Sequence, residues 1–356
     1  MANLCRCFRK CNERLIEMTK SSKQRATLID VAKRARVDVS TASRVLRGDA
    51  AQRVGNETKA RILKSARELE YLPNSVARAL RTSKTHTLGI VVPQLDNPVF
   101  YAVIRGAEKA AFAEGYSLLI SHREPGETAT TIANLSKRSR VDGLLVASLD
   151  DDEVLRSDLD AANVPHVLLN RQLPGAPYAV VLDSREAAKR ATNHLISLGH
   201  RRIAHLSGRP GGFNANERLK GYRDALREAG IDYDDSLVEE AGYTFEGGKK
   251  AMLGLMQSDA TAVMAATMVS AAGAMATLHE AGWPIPERMS IIALHDGAIA
   301  EMLYPALSTV SMPTEEMGCV AATILIRLLG GEKPDAVAAL PAGSLIARAS
   351  TGPRNI

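Results

Sequence analysis

The 356 residues carry 45 Lys and Arg against 40 Asp and Glu, with 46% hydrophobic residues, only 4% aromatics and four cysteines. Such a length fills the cores of two or three domains; few aromatics favour helix-rich α/β packing over a β-sandwich, and four cysteines, three of them between Cys5 and Cys11, exclude a disulfide framework. The charge is unevenly placed: residues 1–84 hold 20 Lys and Arg against 8 Asp and Glu, the remaining 272 hold 25 against 32, which divides a polyanion-binding head from a mildly acidic body.

Residues 1–26 are read as a basic, disordered leader, with Met18 as an alternative start. Cys5, Cys7 and Cys11 lack a fourth local ligand, so no metal site is expected. No apolar signal core precedes the patterned region, and a cytoplasmic location is expected. From Thr27 to Leu46, TLIDVAKRARVDVSTASRVL places Leu28, Val31, Ala32, Ala35, Val37, Ala42, Val45 and Leu46 as two short helices broken near Arg36 and Val37. That is a helix-turn-helix pattern; taken alone, an ordinary helical hairpin is its alternative. Asp38 is placed to cap the second helix, whose exposed face carries Val39, Ser40, Ser43 and Arg44, groups able to reach base edges and phosphates. A polar connection, Arg47 to Asn56, leads to a third amphipathic helix, Glu57 to Glu70, with Ile62, Leu63, Ala66 and Leu69 on one side. Residues 27–72 thus make a three-helix DNA-binding domain. Pro73 stops the third helix and Asn74 caps a short one, Ser75 to Leu80, too short to be stable alone. Residues 73–85 are therefore read as a hinge helix and linker that order against a partner chain or DNA.

From Thr87 the pattern alternates. LGIVVPQL, YSLLISH, VDGLLVAS, VPHVLLN, RRIAHLSG, a segment of LVEEAGYT, ATAVMAA and MSIIALHD read as strands; PVFYAVIRGAEKAAFAEG, SREAAKRATNHLISLG, NERLKGYRDALREAG, FEGGKKAMLGLMQ and MVSAAGAMATLHEAG read as helices. This predicts an α/β body of two doubly wound lobes, a first at about 86–182 and 312–339 and a second at about 183–311 and 340–356. Ligand is expected in the crevice at the carboxyl ends of their strands. The apolar run Ala260 to Leu278 is rich in Ala, Thr, Ser and Gly and reads as a strand plus a packed helix, not a membrane span. No GxGxxG follows the first strand and no GxxxxGK[ST] occurs, against a dehydrogenase or sugar kinase. His194, His200 and His205 are separated by the helix-ending Gly199 and are read as structural.

In its motifs the chain resembles the LacI (lactose-repressor/galactose-repressor) family of bacterial transcription regulators, from Thr27 to Thr351. TLIDVAKRARVDVSTASRVL matches the family's opening, PNSVARAL its hinge, and VDGLLVAS, HLISLGHRRIAHLSG, NERLKGY and PALSTV follow in its order. The resemblance implies no enzyme and no cofactor. It implies a cytoplasmic, nucleoid-associated homodimeric repressor on a pseudo-palindromic double-stranded DNA operator, controlled by a small-molecule effector between lobes of the periplasmic-binding-protein type. The ending STGPRNI has no leucine-heptad tail, so a dimer is expected over a tetramer. A pure solute-binding protein would share the lobes but have no use for a basic head.

Carried over residue by residue, the second helix with Val39, Ser40, Ser43 and Arg44 enters a major groove. Thr27, Thr41, Thr58 and Asn74 support the head or touch backbone; Ala77, Arg78 and Leu80 lie in the hinge, Leu80 as a minor-groove wedge. In the body, Phe100 lines the cleft, Arg218 is the effector arginine, Tyr243 a stacking aromatic and Asp296 the effector carboxylate. Asn97, Arg123, Arg171 and Asn214, on loops at strand ends, are further candidate contacts. The departures are specific. Arg36 replaces a turn glycine, Asp38 a serine and Ala42 a valine, and the connection Gly48 to Arg53 is about two residues longer than is common in the family. Ala266, Thr267 and Met268 stand where Ala-Asn-Asp is usual, with Thr267 kept as a contact, and Gly297 follows Asp296. A cleft less polar than a sugar site is expected, holding a small ligand whose acidic or aromatic part meets Arg218.

Overall fold

The computed structural model describes residues 26–46, 54–71, 84–123, 130–137, 140–149 and 151–354, in two compact units that divide after Lys84. The leader, the connection Gly48 to Arg53, and Asn74, Ala77, Arg78 and Leu80 lie outside the described residues.

The smaller unit contains α1 (Leu28–Ala35), α2 (Val39–Leu46) and α3 (Asn56–Glu68). Thr27 opens α1 with a reciprocal cap: its hydroxyl accepts from the Asp30 amide, while the Asp30 carboxylate accepts from the Thr27 amide at 2.8 Å. Arg36 ends the helix at φ 54°, so the residue standing at the turn does adopt the left-handed conformation, at a cost of about 1 kcal/mol relative to glycine. The Asp38 carboxylate accepts from the Ser40 amide at 2.7 Å at the start of α2; the Ser40 hydroxyl first, and this amide second, hold it below the usual carboxylate range. Val31, Ala32, Ala35, Ala42, Val45, Ile62 and Ala66 form the core. Leu63 does not join them; it is 39% exposed. One residue past Ile62, it is turned about 100° off the stripe that Ile62, Ala66 and Leu69 define. It borders instead a shallow recess with Leu46 and Tyr71. Arg34 pairs with Glu68 at 2.6 Å, and Arg61 Nε donates to the Ala35 carbonyl at 2.8 Å, tying α1 to α3.

In the larger unit, β1 (Thr87–Val92), β2 (Ser117–His122), β3 (Gly143–Val146), β4 (His166–Leu169), β5 (Ala179–Leu182) and β11 (Val337–Leu340) make one parallel sheet, ordered β11-β5-β4-β3-β1-β2. The second sheet, ordered β12-β10-β9-β8-β6-β7, uses β6 (Ile203–Ser207), β7 (Val238–Glu240), β8 (Ala262–Ala265), β9 (Ser290–Leu294), β10 (Ser308–Val310) and β12 (Leu345–Ile346). Only β12 runs antiparallel to its neighbour. Central strands such as GLLV and SIIAL are unbroken apolar runs because helices cover both faces of each sheet, leaving every residue of β3 and β9 buried.

The covering helices are α4 (Pro98–Ala113), α5 (Thr130–Lys137), α6 (Asp152–Ala162), α7 (Ser184–Ser197), α8 (Phe213–Glu228), α9 (Phe245–Leu255), α10 (Met268–Glu280), α11 (Ala298–Met302) and α12 (Thr314–Leu329). The chain crosses between sheets three times, after Leu182, Val310 and Leu340. α4 and α12 pack backbone to backbone at Gly106 and Gly318: a Cβ on either would lie 1.9 Å from the Glu315 oxygen or 2.0 Å from the Val103 oxygen. The run Ala260 to Leu278 divides into β8 and α10, and among the described residues no helix is long and apolar enough to cross a membrane.

Two of the three histidines of HLISLGHRRIAH, His194 and His200, brace the last segment of the chain, and His205 ties β6 to β8. His194 Nε2 lies 3.0 Å from the Thr351 hydroxyl, His200 bridges Thr261 and Ser290, and fully buried His205 donates to the Met264 carbonyl at 2.9 Å. Burial pushes His205 down to about 4, keeping it neutral. Among the described residues no cluster of His, Cys, Asp and Glu could hold a metal ion.

Candidate functional site

A cleft of about 620 Å³, its open mouth included, lies where strands of both sheets end, a size suited to a small molecule. Each strand delivers a residue at its carboxyl end: Gln94 beyond β1, Ser148 beyond β3, Asn170 beyond β4, Tyr243 beyond β7, Thr267 beyond β8 and His295 beyond β9. α4 adds Asn97 and Phe100, α8 adds Asn214 and Arg218, and α12 adds Met317.

Local chemistry fixes these positions. Asn97 caps α4, accepting from the Val99 amide at 3.2 Å with Pro98 in the first turn. Thr267 caps α10 in a reciprocal box with Ser270. Asn214 joins the two lobes, its Nδ2 donating to the Asn170 carbonyl at 2.6 Å. Asn170, Tyr243 and His295 all have left-handed backbones, with φ of 52°, 65° and 68°; non-glycine residues held there concentrate at functional sites.

Arg218 is the centre of the cleft's electrostatics. Its side chain is buried, with 3% of the residue exposed; Nη2 donates to His295 Nε2 at 3.1 Å, and the guanidinium lies 5.5 Å from the centre of the Tyr243 ring. Burial pushes its pKa below the usual arginine value, yet a guanidinium stays charged in a protein. Burial, and secondarily the Arg218 charge, hold His295 well below an ordinary histidine, so its ring is neutral. Arg218 can only donate, so Nε2 of His295 accepts and its proton sits on Nδ1. Burial raises the Tyr243 hydroxyl, against a smaller lowering by Arg218, so the phenol stays protonated.

Of the residues expected in the cleft, the structure brings Asn97, Phe100, Asn214, Arg218, Tyr243 and Thr267 together. Arg123, Arg171 and Asp296 do not line it. Arg123 forms a buried ion pair with Asp158, Arg171 pairs with Asp152 and donates to the Ser148 carbonyl, and Asp296 accepts from Arg348 at 2.8 Å and Thr309 at 2.6 Å. The left-handed turn at His295 is the reason for the last. It directs His295, not its neighbour, to the cleft. Gln94, Ser148, Asn170, Met317 and His295 had not been singled out; for Asn170 and His295 the available signal was position, each one residue beyond an apolar strand.

On the head, Val39, Ser40 and Arg44 are exposed on α2 and Thr41 and Ser43 are half-buried beside them. Thr58 stands half-buried in the first turn of α3, and the Thr27 hydroxyl is committed to the α1 cap. The exposed face therefore presents one cation, a methyl-bearing side chain and small hydroxyls, the set that meets phosphates and base edges.

The model of bacterial regulatory proteins of the lacI family matches residues 27–74, and that of the periplasmic binding protein-like domain matches residues 192–351. The HTH-type transcriptional regulator CelR of Thermobifida fusca is 33% identical over 326 residues, 88% of this chain and 95% of the relative. A solved CelR-cellobiose complex aligns with a TM-score of 0.70 at 30% identity, covering 92% of this chain and 100% of that one. The lac repressor dimer bound to operator and the anti-inducer ONPF aligns with a TM-score of 0.81 at 26% identity, over 92% of this chain and 100% of that one. The three-helix head, the paired lobes of periplasmic-binding-protein type and this agreement along the chain make it a member of the LacI family, a DNA-binding transcriptional regulator and not an enzyme.

Proposed function

We propose that this regulator is a homodimeric, cytoplasmic repressor that holds a pseudo-palindromic operator until a small molecule bound between the lobes alters its affinity. The observation that carries this reading is the cleft itself: it draws side chains from both lobes around a buried arginine that no carboxylate among the described residues neutralises. A ligand that completes such a site binds one arrangement of the lobes better than another and shifts the population accordingly. The contacts proposed are Asn97, Phe100, Asn214, Arg218, Tyr243, Thr267 and His295. Related proteins solved with cellobiose, and as an operator-bound dimer with a ligand, support the same scheme.

For DNA, the proposed readers are Val39, Ser40, Ser43 and Arg44, with Thr27, Thr41 and Thr58 touching backbone or supporting the head. A duplex selected from random sequence by the full-length protein, followed by fluorescence anisotropy, tests this. The enriched site is expected to be a two-fold pseudo-palindrome, with affinity falling steeply as salt rises from roughly 50 to 200 mM. Arg44→Ala is expected to weaken binding roughly tenfold or more. Equal affinity for selected and unselected duplex would contradict the reading.

A further inference from the structure

We infer that the ligand of this cleft is a sugar acid whose carboxylate is held by Arg218 and His295; the inference rests on the reading of the cleft as an effector site. None of the side chains lining the cleft is Asp or Glu, so its charge is that of Arg218 alone. Asp296, next to His295, is held by Arg348, and Asp152, at the start of α6, by Arg171.

The hydrogen-bond inventory then narrows the ligand. Both Arg218 and His295 are 3% exposed. Arg218 Nε and His295 Nδ1 are buried with no partner. Because His295 Nε2 must accept from Arg218, both of these nitrogens carry hydrogens, and two residues that line the cleft hold buried, unmatched donors beside an unneutralised positive charge. A group with acceptors only and a full negative charge satisfies all three conditions; a carboxylate is that group. A neutral hydroxyl can accept from these donors but leaves the charge unmatched.

The remainder of the lining specifies what the carboxylate is attached to. Phe100 and Tyr243 offer aromatic surfaces, while the side-chain amides of Gln94 and Asn170 offer hydrogen-bonding groups for a polyhydroxylated body. Apolar Val103, Leu169 and Met317 close one side.

The test uses the full-length protein and calorimetric titration with D-glucuronate, D-galacturonate and D-gluconate, against D-glucose, D-galactose and cellobiose at matched ionic strength. At least one acid is expected to bind roughly a hundredfold more tightly than any neutral sugar, with that preference lost in Arg218→Met. His295→Asp, which supplies the missing carboxylate from the protein, is expected to reverse the preference towards neutral sugars even where Arg218→Met fails to fold. Binding of a neutral sugar in preference to every acid, with loss in Arg218→Met, overturns the sugar-acid assignment and leaves the cleft as the effector site. Binding that is unchanged in both folded variants overturns the cleft reading as well, and no binding by any of the three acids overturns the assignment.

Discussion

Gly106→Val is expected to unfold the larger unit at denaturant concentrations that leave the wild type intact, with a loss of upwards of about 3 kcal/mol. A Cβ at this position would lie 1.9 Å from the Glu315 oxygen, 2.8 Å from its carbonyl carbon and 3.1 Å from the Cys319 nitrogen. All three atoms are backbone of α12, so no rotamer change relieves the clash and the helix must shift as a body. That shift would pull Met317, Ala321, Ala322 and Leu325 out of the core they share with Val103 and Ala107. Gly254→Ala provides the comparison. Gly254 is exposed on α9 with its nearest contact 3.5 Å away, at Glu239, and the change is expected to stabilise by up to about 1 kcal/mol through helix propensity. Urea unfolding followed by circular dichroism reads both, and a wild-type midpoint for Gly106→Val would show that α4 and α12 are not held by this contact.

Gly208→Ala has the second large effect, on ligand binding more than on stability. Its Cβ would lie 2.0 Å from Cζ and Oη of Tyr243. The ring is the movable partner, so the fold survives and the aromatic surface beside Arg218 is displaced. Affinity for the sugar acid that binds wild type most tightly is expected to fall roughly tenfold to a hundredfold, the worth of an aromatic and cation–π contact in a desolvated site. Tyr243→Ala should lose a similar amount, and adding Gly208→Ala to it should cost nothing further, because both act through one ring. Additive losses in the double variant would mean that Gly208 acts by another route.

Much of this architecture is legible in the sequence because it is local. The two helices of the head follow from apolar spacing between Leu28 and Leu46, and the body's fold class from strand and helix patterns in alternation. Features that depend on distant partners are not legible. α12 packs against α4 across more than 200 residues of chain, and its close approach depends on Gly106 and Gly318, neither of which carries a local signal. The same limit explains Arg123 and Arg171. Both have the right type and place for a ligand contact, yet α6 and its leading edge bring Asp158 and Asp152 to them. At β9 the difficulty is conformational: in LHD the carboxylate is the obvious ligand group, but a left-handed backbone at His295 gives the cleft a neutral imidazole and leaves Asp296 to Arg348 and Thr309. In the head, the positive φ at Arg36 was conditional on geometry that sequence does not carry.

The consequence of that exchange at β9 extends to the whole site. With Asp296 turned away, no carboxylate lines the cleft beside Arg218, and on the proposed reading the ligand supplies it. The measurement closest to this claim is the operator affinity of the full-length protein with and without saturating sugar acid, compared between wild type and Arg218→Met by fluorescence anisotropy on the selected duplex. The ligand is expected to change wild-type affinity by about tenfold or more, and Arg218→Met to bind the operator as unliganded wild type does, with no response to ligand. An operator affinity that is the same with and without bound ligand in the wild type, or a response that persists undiminished in Arg218→Met, would contradict it.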